Sequence, residues 1–114
     1  MDQCLFCRIV NKELEATIVY EDDEVMAFED IRPQAPVHIL FIPKKHIRAM
    51  AHLAEEDARL MAHLFTTITE FAAQKDELDA GYRVVVNNGN DGGQTVDHLH
   101  LHLLGGRRMG WPPG

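Results

Sequence analysis

The sequence contains few cysteines, no long apolar run and no excess of basic residues. Only two of its 114 residues are cysteines, and Cys4 and Cys7 are too close in sequence to staple a secreted fold. No apolar stretch approaches the roughly 20 residues that a membrane-spanning helix needs. The N-terminal MDQCLFCRIV lacks the basic and long apolar segments of a secretory signal. We therefore expect a cytoplasmic protein that does not bind a membrane.

The charge of the chain restricts its partners. The formal net charge is −7, and the basic residues are scattered apart from Lys44-Lys45 and Arg107-Arg108. This distribution disfavours binding to a nucleic-acid polymer, which requires a basic surface. A small anionic ligand remains compatible with it if backbone N–H groups and histidines form the site. The length and the 46% hydrophobic content predict a single domain, residues 1–114, with one core.

The local patterns predict a mixed fold. One long segment, residues 53–75, carries apolar side chains at helical spacing, and residues 4–13 have the composition of a short helix. Five segments have the composition of strands: residues 16–22, 24–30, 37–43, 81–88 and 96–104. Short connections between strands and one long helix predict an α+β fold with a five-stranded, mainly antiparallel sheet. The long helix is expected to pack on one face of that sheet.

Three of the seven histidines alternate with leucines near the C-terminus, in DHLHLHLLGG. Because successive side chains of a strand point to opposite faces, His98, His100 and His102 share one face and the leucines share the other. Thr, Lys or Glu would serve an ordinary solvated face equally well. Imidazoles can transfer protons, attack as nucleophiles or bind a metal near neutral pH. The alternation therefore favours a functional face over an ordinary polar one.

A glycine-rich loop, NNGNDGGQT at residues 87–95, leads directly into the histidine segment. Its glycines allow a close approach of the backbone to a ligand, and consecutive N–H groups can form an anion-binding nest. Gln94 and Thr95 add side-chain donors. A plain hairpin connection has a similar composition, but beside three histidines the loop favours a phosphate site.

The segment HLHLHLL resembles the His-x-His-x-His-x-x signature of the histidine triad superfamily, in which x is apolar. The segments FCRIVNKE, YEDDEVMAFEDIRPQAPVHILFIPKKHI and GYRVVVNNGNDGGQTVDHLHLHLLGGRRMGWPPG are similar to its branch of histidine triad nucleotide-binding proteins. The resemblance implies a homodimer that hydrolyses purine nucleoside phosphoramidates and related acyl or amino adenylates, with AMP or GMP as the retained product. Two alternatives remain open: a dinucleoside polyphosphate hydrolase, and a nucleotide-binding regulatory or scaffold protein with incidental turnover.

The resemblance also implies roles for four candidate catalytic histidines, His38, His98, His100 and His102. His100 resembles the nucleophile, which forms a nucleotidyl-histidine intermediate that water then hydrolyses. His102 resembles the residue that hydrogen-bonds the phosphoryl oxygens. His38 resembles the residue that orients the nucleophilic ring. This chemistry requires no cofactor.

A set of nucleotide-binding residues follows from the same resemblance. Asp30 resembles the acceptor for the ribose hydroxyls, and the tail that carries Trp111 is expected to cross a two-fold axis towards the partner's active site. Apolar side chains are expected to surround the purine, while the glycine-rich loop meets the phosphate. The set comprises Leu5, Phe6, Phe28, Asp30, Ile31, Asn87, Gly93, Gln94, Thr95, Val96 and Trp111.

The motif CLFC provides a possible zinc site. A Cys-x-x-Cys with two distant histidines can form a closed tetrahedral site. Zinc-containing members of the superfamily use two such cysteines, a histidine after a Pro-basic-basic stretch and the first triad histidine. Here those residues are Cys4, Cys7, His46 and His98. Two free thiols on a small helix are the alternative, because other members lack the first cysteine and bind no metal.

Overall fold

The computed structural model describes residues 3–114. The chain forms two helices and five strands: α1 (Leu5–Val10), β1 (Ile18–Glu21), β2 (Val25–Glu29), β3 (Val37–Pro43), α2 (Ala58–Ala73), β4 (Tyr82–Val86) and β5 (Leu101–Gly105). The strands form one sheet in the order β1-β2-β3-β5-β4, and each neighbouring pair is antiparallel. The predicted α+β fold is therefore confirmed. No helix within residues 3–114 is long and apolar enough to cross a membrane.

The long helix covers one face of the sheet, as its apolar periodicity predicts. Leu64, Ile68 and Ala72 of α2 are buried against Phe41 of β3 and Leu103 of β5, within a larger apolar cluster. These helical positions recur every four residues, so their side chains form one stripe along the axis. Burial of this stripe fixes the orientation of α2 on the sheet.

The opposite face of the sheet packs against the short N-terminal helix. Phe6 and Ile9 of α1 lie in a second apolar cluster with Met26, Phe28 and Leu40 of the sheet. Phe6 also contacts the ring of His100 edge to face, at 5.1 Å between centroids. The helix therefore brings the Cys-x-x-Cys segment to the side of the sheet on which the histidines lie.

Two predicted elements begin several residues later than expected. The predicted strand 96–104 begins only at Leu101, because the register of β3 and β5 places Leu99 opposite Pro43, which has no N–H to donate. The N–H of Leu99 instead bonds the carbonyl of Ile47, at 2.6 Å. The predicted helix 53–75 begins at Ala58 and follows a single 3₁₀ turn, Glu55–Asp57.

Candidate active site

The predicted separation of histidines and leucines is present, although two of the histidines precede β5. Leu99, Leu101 and Leu103 lie in the cluster beneath α2. On the other side, the rings of His98 and His100 both contact Phe6, and the rings of His100 and His102 are 5.1 Å apart. The alternation therefore continues beyond the end of the strand ladder.

The ring of His100 is held in one tautomer by its own backbone. Its Nδ1 lies 2.7 Å from the carbonyl oxygen of His98. A carbonyl oxygen only accepts hydrogen bonds, so Nδ1 of a neutral His100 carries the proton. Its Nε2 consequently keeps a lone pair, which is what an imidazole nucleophile requires. His100 is buried, and this arrangement is therefore shielded from water.

The rings of His38 and His102 form a second ordered pair. The backbone N–H of Gln34 donates to Nδ1 of His38 at 3.0 Å, so a neutral His38 carries its proton on Nε2. That Nε2 lies 2.9 Å from Nδ1 of His102 and donates to it. His102 must therefore carry its own proton on Nε2. The ring of His38 thus bonds His102, and its expected role in orienting His100 stays a prediction.

Burial keeps this pair uncharged. Burial, together with the proximity of His100 and His38, lowers the pKa of His102 to about 4, against the opposing effect of Asp30. Burial also lowers the pKa of His38, although the carboxylate of Asp30, 3.4 Å from its Nε2, opposes this shift. Each ring is thus neutral at neutral pH and has a single N–H to offer.

The glycine-rich loop has a defined shape. Gly93 has a φ of 83°, a conformation that disfavours other residues, and a side chain at Gly92 would collide with the carbonyl of Asn88. The side-chain amide of Gln94 accepts the N–H of Gly89 and donates to the carbonyls of Arg48 and Val96, at 2.8–3.0 Å. Gln94 therefore holds the loop in place, and its predicted contact with a phosphate stays a prediction.

The structure brings together only part of the expected purine-binding wall. Phe6 of α1 and Phe28 of β2 pack edge to face at 5.3 Å and are buried between the helix and the sheet. Leu5 is 46% exposed and Ile31 is 93% exposed, so both present apolar surface to solvent. Asp30 and Ile31 border one groove, and Leu5 borders another.

The remaining expected residues lie outside this wall. Leu5 shares its groove with Thr95 and Val96 of the loop. Asn87 is half-buried after β4, and Trp111 is 83% exposed in the tail.

Cys4, Cys7, His46 and His98 form a cluster that can hold a metal ion. Their ligand atoms all lie within 4.8 Å of one another. Three sulfur-to-Nδ1 distances are 3.3 Å (Cys7 to His46), 3.4 Å (Cys4 to His98) and 3.6 Å (Cys7 to His98). Zinc–sulfur and zinc–nitrogen bonds of about 2.3 and 2.05 Å at tetrahedral angles place such atoms about 3.5 Å apart. The four side chains therefore fit a tetrahedral zinc ion.

The ring of His98 is oriented as a ligand. Its Nε2 lies 2.8 Å from the carbonyl oxygen of Pro43 and must donate to it, so the Nδ1 lone pair faces the cysteines. Burial lowers the pKa of His98 to about 4, against the opposing hydrogen bond to Pro43. A neutral ring with a free lone pair is the form that binds metals.

A comparison with known families identifies the fold. The HIT domain profile matches residues 11–109 of this chain. The protein belongs to the HIT domain family. Among solved structures, this HIT domain is similar to a HIT family hydrolase from Legionella pneumophila, with a TM-score of 0.96 and 49% identity over 98% of this chain and 100% of that one. It is also similar to a histidine triad protein from Clostridium difficile, with a TM-score of 0.91 and 44% identity over 96% and 95% of the two chains.

Two relatives known from sequence are similar to this chain over nearly their whole length. An uncharacterized HIT-like protein of Synechococcus elongatus is 51% identical over 113 residues, which are 99% of this chain and 98% of that protein. An uncharacterized HIT-like protein of Synechocystis is 49% identical over the same shares.

Residue types and spacing did not indicate three groups that orient the histidines of this HIT domain. They are the carbonyl of Pro43, the N–H of Gln34 and the guanidinium of Arg107, which bonds the carbonyl of Gln34. The first two act through the backbone, so their residue types carry no signal of the role. Arg107 belongs to a basic pair that has the composition of an ordinary exposed tail.

Proposed function

We propose that the protein hydrolyses purine nucleoside 5′-phosphoramidates and related acyl and amino adenylates through a nucleotidyl intermediate on His100. The observation that carries this proposal is the 2.7 Å hydrogen bond from His100 Nδ1 to the carbonyl of His98. It supports a fixed ring whose Nε2 lone pair is free to attack phosphorus. A nucleotide-binding protein without turnover has no need for a nucleophile held in this way.

The reaction proceeds in two displacements. Nε2 of His100 attacks the α-phosphorus, a phosphorus–Nε2 bond forms, and the phosphorus–nitrogen bond of the substrate breaks as the amine leaves with a proton from solvent, which the attacking water returns in the second step. Water then attacks the nucleotidyl-histidine, which releases the nucleoside monophosphate and restores His100. Division of one displacement into two lowers each barrier.

His102 stabilises the charge that develops on the phosphoryl oxygens. Its Nε2 proton is the free donor of the His38–His102 pair, and a partly buried donor interacts more strongly with negative charge than a fully solvated one. The backbone N–H groups of Thr95 and Val96 add further donors, whereas those of Gly93 and Gln94 bond the carbonyls of Asn90 and Gly89 at 3.1 and 3.0 Å. The protein has a net charge of −7, so these local donors and not the overall charge attract the anion.

The Asp30 carboxylate is suited to bind the ribose. Its Oδ1 accepts the N–H of Arg32 at 2.7 Å, which fixes the carboxylate, while its Oδ2 lies beside His38. Lone pairs on both oxygens remain for hydroxyl donors. The similarity to a Legionella pneumophila protein named as a hydrolase supports the same general reaction class.

Zinc is the metal proposed for Cys4, Cys7, His46 and His98. When bound, zinc would supply a structural cross-link between α1 and the segment before β5. His98 then has both ring nitrogens engaged, one with the metal and one with Pro43, and it cannot donate a proton to the leaving group. The homodimer and the approach of Trp111 to a partner's site are part of the same proposal.

The decisive experiment measures product release across three substrate classes. AMP release from an adenosine phosphoramidate, an aminoacyl adenylate and a diadenosine polyphosphate is compared, and denatured reaction mixtures are examined by mass spectrometry for a covalent nucleotide on His100. We expect the phosphoramidate to be cleaved best and the adduct to be found. Preference for the diadenosine compound would favour the dinucleoside polyphosphate alternative. Tight nucleotide binding without turnover of any substrate would favour the regulatory one.

A further inference from the structure

We infer that Arg107 is a positioning residue for His102, which it controls through the backbone of Gln34 and the ring of His38. The C-terminal segment after β5 thereby sets which nitrogen of His102 carries the proton. The kinetic consequence of this inference rests on the proposed function. The structural consequence does not, because it concerns only the resting protein.

The guanidinium of Arg107 is directed at the peptide of Gln34. Its Nε and Nη2 both donate to the carbonyl oxygen of Gln34, at 3.1 and 3.0 Å. Its Nη1 donates to the carbonyl of Arg108 at 3.0 Å, so all three guanidinium nitrogens are hydrogen-bonded. A planar guanidinium that binds one oxygen through two N–H groups restricts the orientation of that peptide more than a single flexible donor would.

Two glycines allow Arg107 to reach this position. A side chain at Gly105 would collide with Leu78, and one at Gly106 would lie 2.9 Å from Cβ of Pro36. Gly106 also has a φ of 86°, which disfavours other residues. The chain can therefore turn closely over the loop between β2 and β3, with Arg107 above Gln34.

The carbonyl of Gln34 belongs to the Gln34–Ala35 peptide and its N–H to the Pro33–Gln34 peptide, so the restraint reaches the two histidines through the Cα atom that these peptides share. The N–H of Gln34 donates to His38 Nδ1 at 3.0 Å, and His38 Nε2 donates to His102 Nδ1 at 2.9 Å. The opposite tautomer of His38 would set two N–H groups against each other at Gln34. It would also present a lone pair to Nδ1 of His102, which would then have to carry its proton there.

The direction of the hydrogen bonds from Gln34 through His38 decides whether Nε2 of His102 presents an N–H or a lone pair to a substrate. In the observed direction, Nε2 of His102 carries an N–H that can donate to a phosphoryl oxygen. In the reversed direction, the same nitrogen would present a lone pair to a negatively charged oxygen. The charged and titratable groups that face His102 are His100, His38 and Asp30, and burial keeps both His38 and His102 neutral. A neutral ring has one N–H, so its tautomer matters.

The kinetic test compares three variants of the full-length protein. Arg107→Ala removes the restraint, and Arg107→Lys restores a single donor. Arg108→Ala is the matched control, because its side chain makes no hydrogen bond or ion pair within residues 3–114. We expect Arg107→Ala to lower kcat about 10-fold with a smaller change in KM, similar to the loss of an outer partner of a functional histidine. Arg107→Lys should fall between Arg107→Ala and the wild type, and Arg108→Ala should match the wild type.

The structural test requires no substrate. Long-range ¹⁵N–¹H correlation spectra distinguish histidines protonated at Nδ1 from those protonated at Nε2. We expect His38 and His102 to be protonated at Nε2 in the wild type and in Arg108→Ala, and to become mixed in Arg107→Ala. Unchanged tautomers in Arg107→Ala, or a loss of kcat equal in Arg108→Ala, would overturn the inference. If the tautomers change but no substrate is cleaved even by the wild type, the proposed function fails and the positioning role of Arg107 stands.

Discussion

Nε2 of His98 lies 2.8 Å from the carbonyl oxygen of Pro43, the last residue of β3. This hydrogen bond leaves Nδ1 of the same ring facing Cys4 at 3.4 Å. The backbone carbonyl of His98 in turn accepts the ring N–H of His100. One residue therefore joins the central strand, the candidate metal cluster and the candidate nucleophile.

This connection predicts that the metal supports both stability and the catalytic segment. Protein purified without chelator is expected to contain about one zinc ion per chain, measured by elemental analysis. Cys7→Ser should lower the metal content and the melting temperature, because a structural metal contributes directly to folding free energy. His52→Ala, which removes an exposed histidine outside the cluster, is the control. Metal-free protein with an unchanged melting temperature after Cys7→Ser would contradict the site.

His100→Ala is expected to abolish turnover while nucleotide binding persists. Loss of the nucleophile removes the covalent route and should lower kcat by several orders of magnitude, more than the roughly 10²–10³ expected for loss of one oxyanion donor. Steady-state kinetics and AMP titration calorimetry measure the two effects separately, with His52→Ala as the matched histidine control. A variant that retains near-normal rates would refute the assignment of His100.

The carboxylate of Asp22, which lies away from the candidate site, is expected to make a pH-dependent contribution to stability. Burial alone would raise the pKa of this carboxyl, but hydrogen bonds from Tyr20, from the backbone of Glu24 and Val25 and from His63 hold its pKa well below the usual range. A depressed pKa stabilises the folded state above the unfolded value of about 3.9, and this stabilisation is lost as the pH falls through the folded value.

Asp22→Asn should therefore lower the free energy of unfolding by about 1–2 kcal/mol at neutral pH. The difference from the wild type should shrink as the pH falls below about 4. Tyr20→Phe keeps the carboxylate and removes only one of its donors, so its loss should be smaller. Denaturant unfolding at neutral pH and below about pH 4 measures the effect. Parallel pH profiles for Asp22→Asn and the wild type would show that the carboxylate contributes no charge-dependent stability.

Trp111 is expected to be buried by a second copy of the chain. The indole is 83% exposed in the single chain, a large apolar area for a side chain that gains its energy from burial. Sedimentation should show a homodimer, and removal of residues 111–114 should change the relative rates for different leaving groups. This truncation retains Arg107 and thus separates the effect of the tryptophan from that of the positioning residue. A monomer at micromolar concentration, or unchanged relative rates, would contradict the role of the tail.

The sequence by itself determined which side chains share a face. A strand has a period of two whatever surrounds it, so the alternation of His98, His100 and His102 with leucines already separated a functional side from a core side. The bounds of the third predicted strand, residues 37–43, agree with β3 because its apolar run, interrupted only by His38, is buried on both faces. The spacing of Cys4 and Cys7 likewise identified half of the candidate metal cluster.

Only the tertiary structure decided how the histidines are protonated and where the strand ladder ends. The tautomers depend on the carbonyls of His98 and Pro43 and on the N–H of Gln34, and every residue has such backbone groups. The late start of β5 depends on the register that sets Leu99 opposite a proline in another strand. These relationships join residues far apart in the chain through groups common to all amino acids, so residue types and spacing could not reveal them.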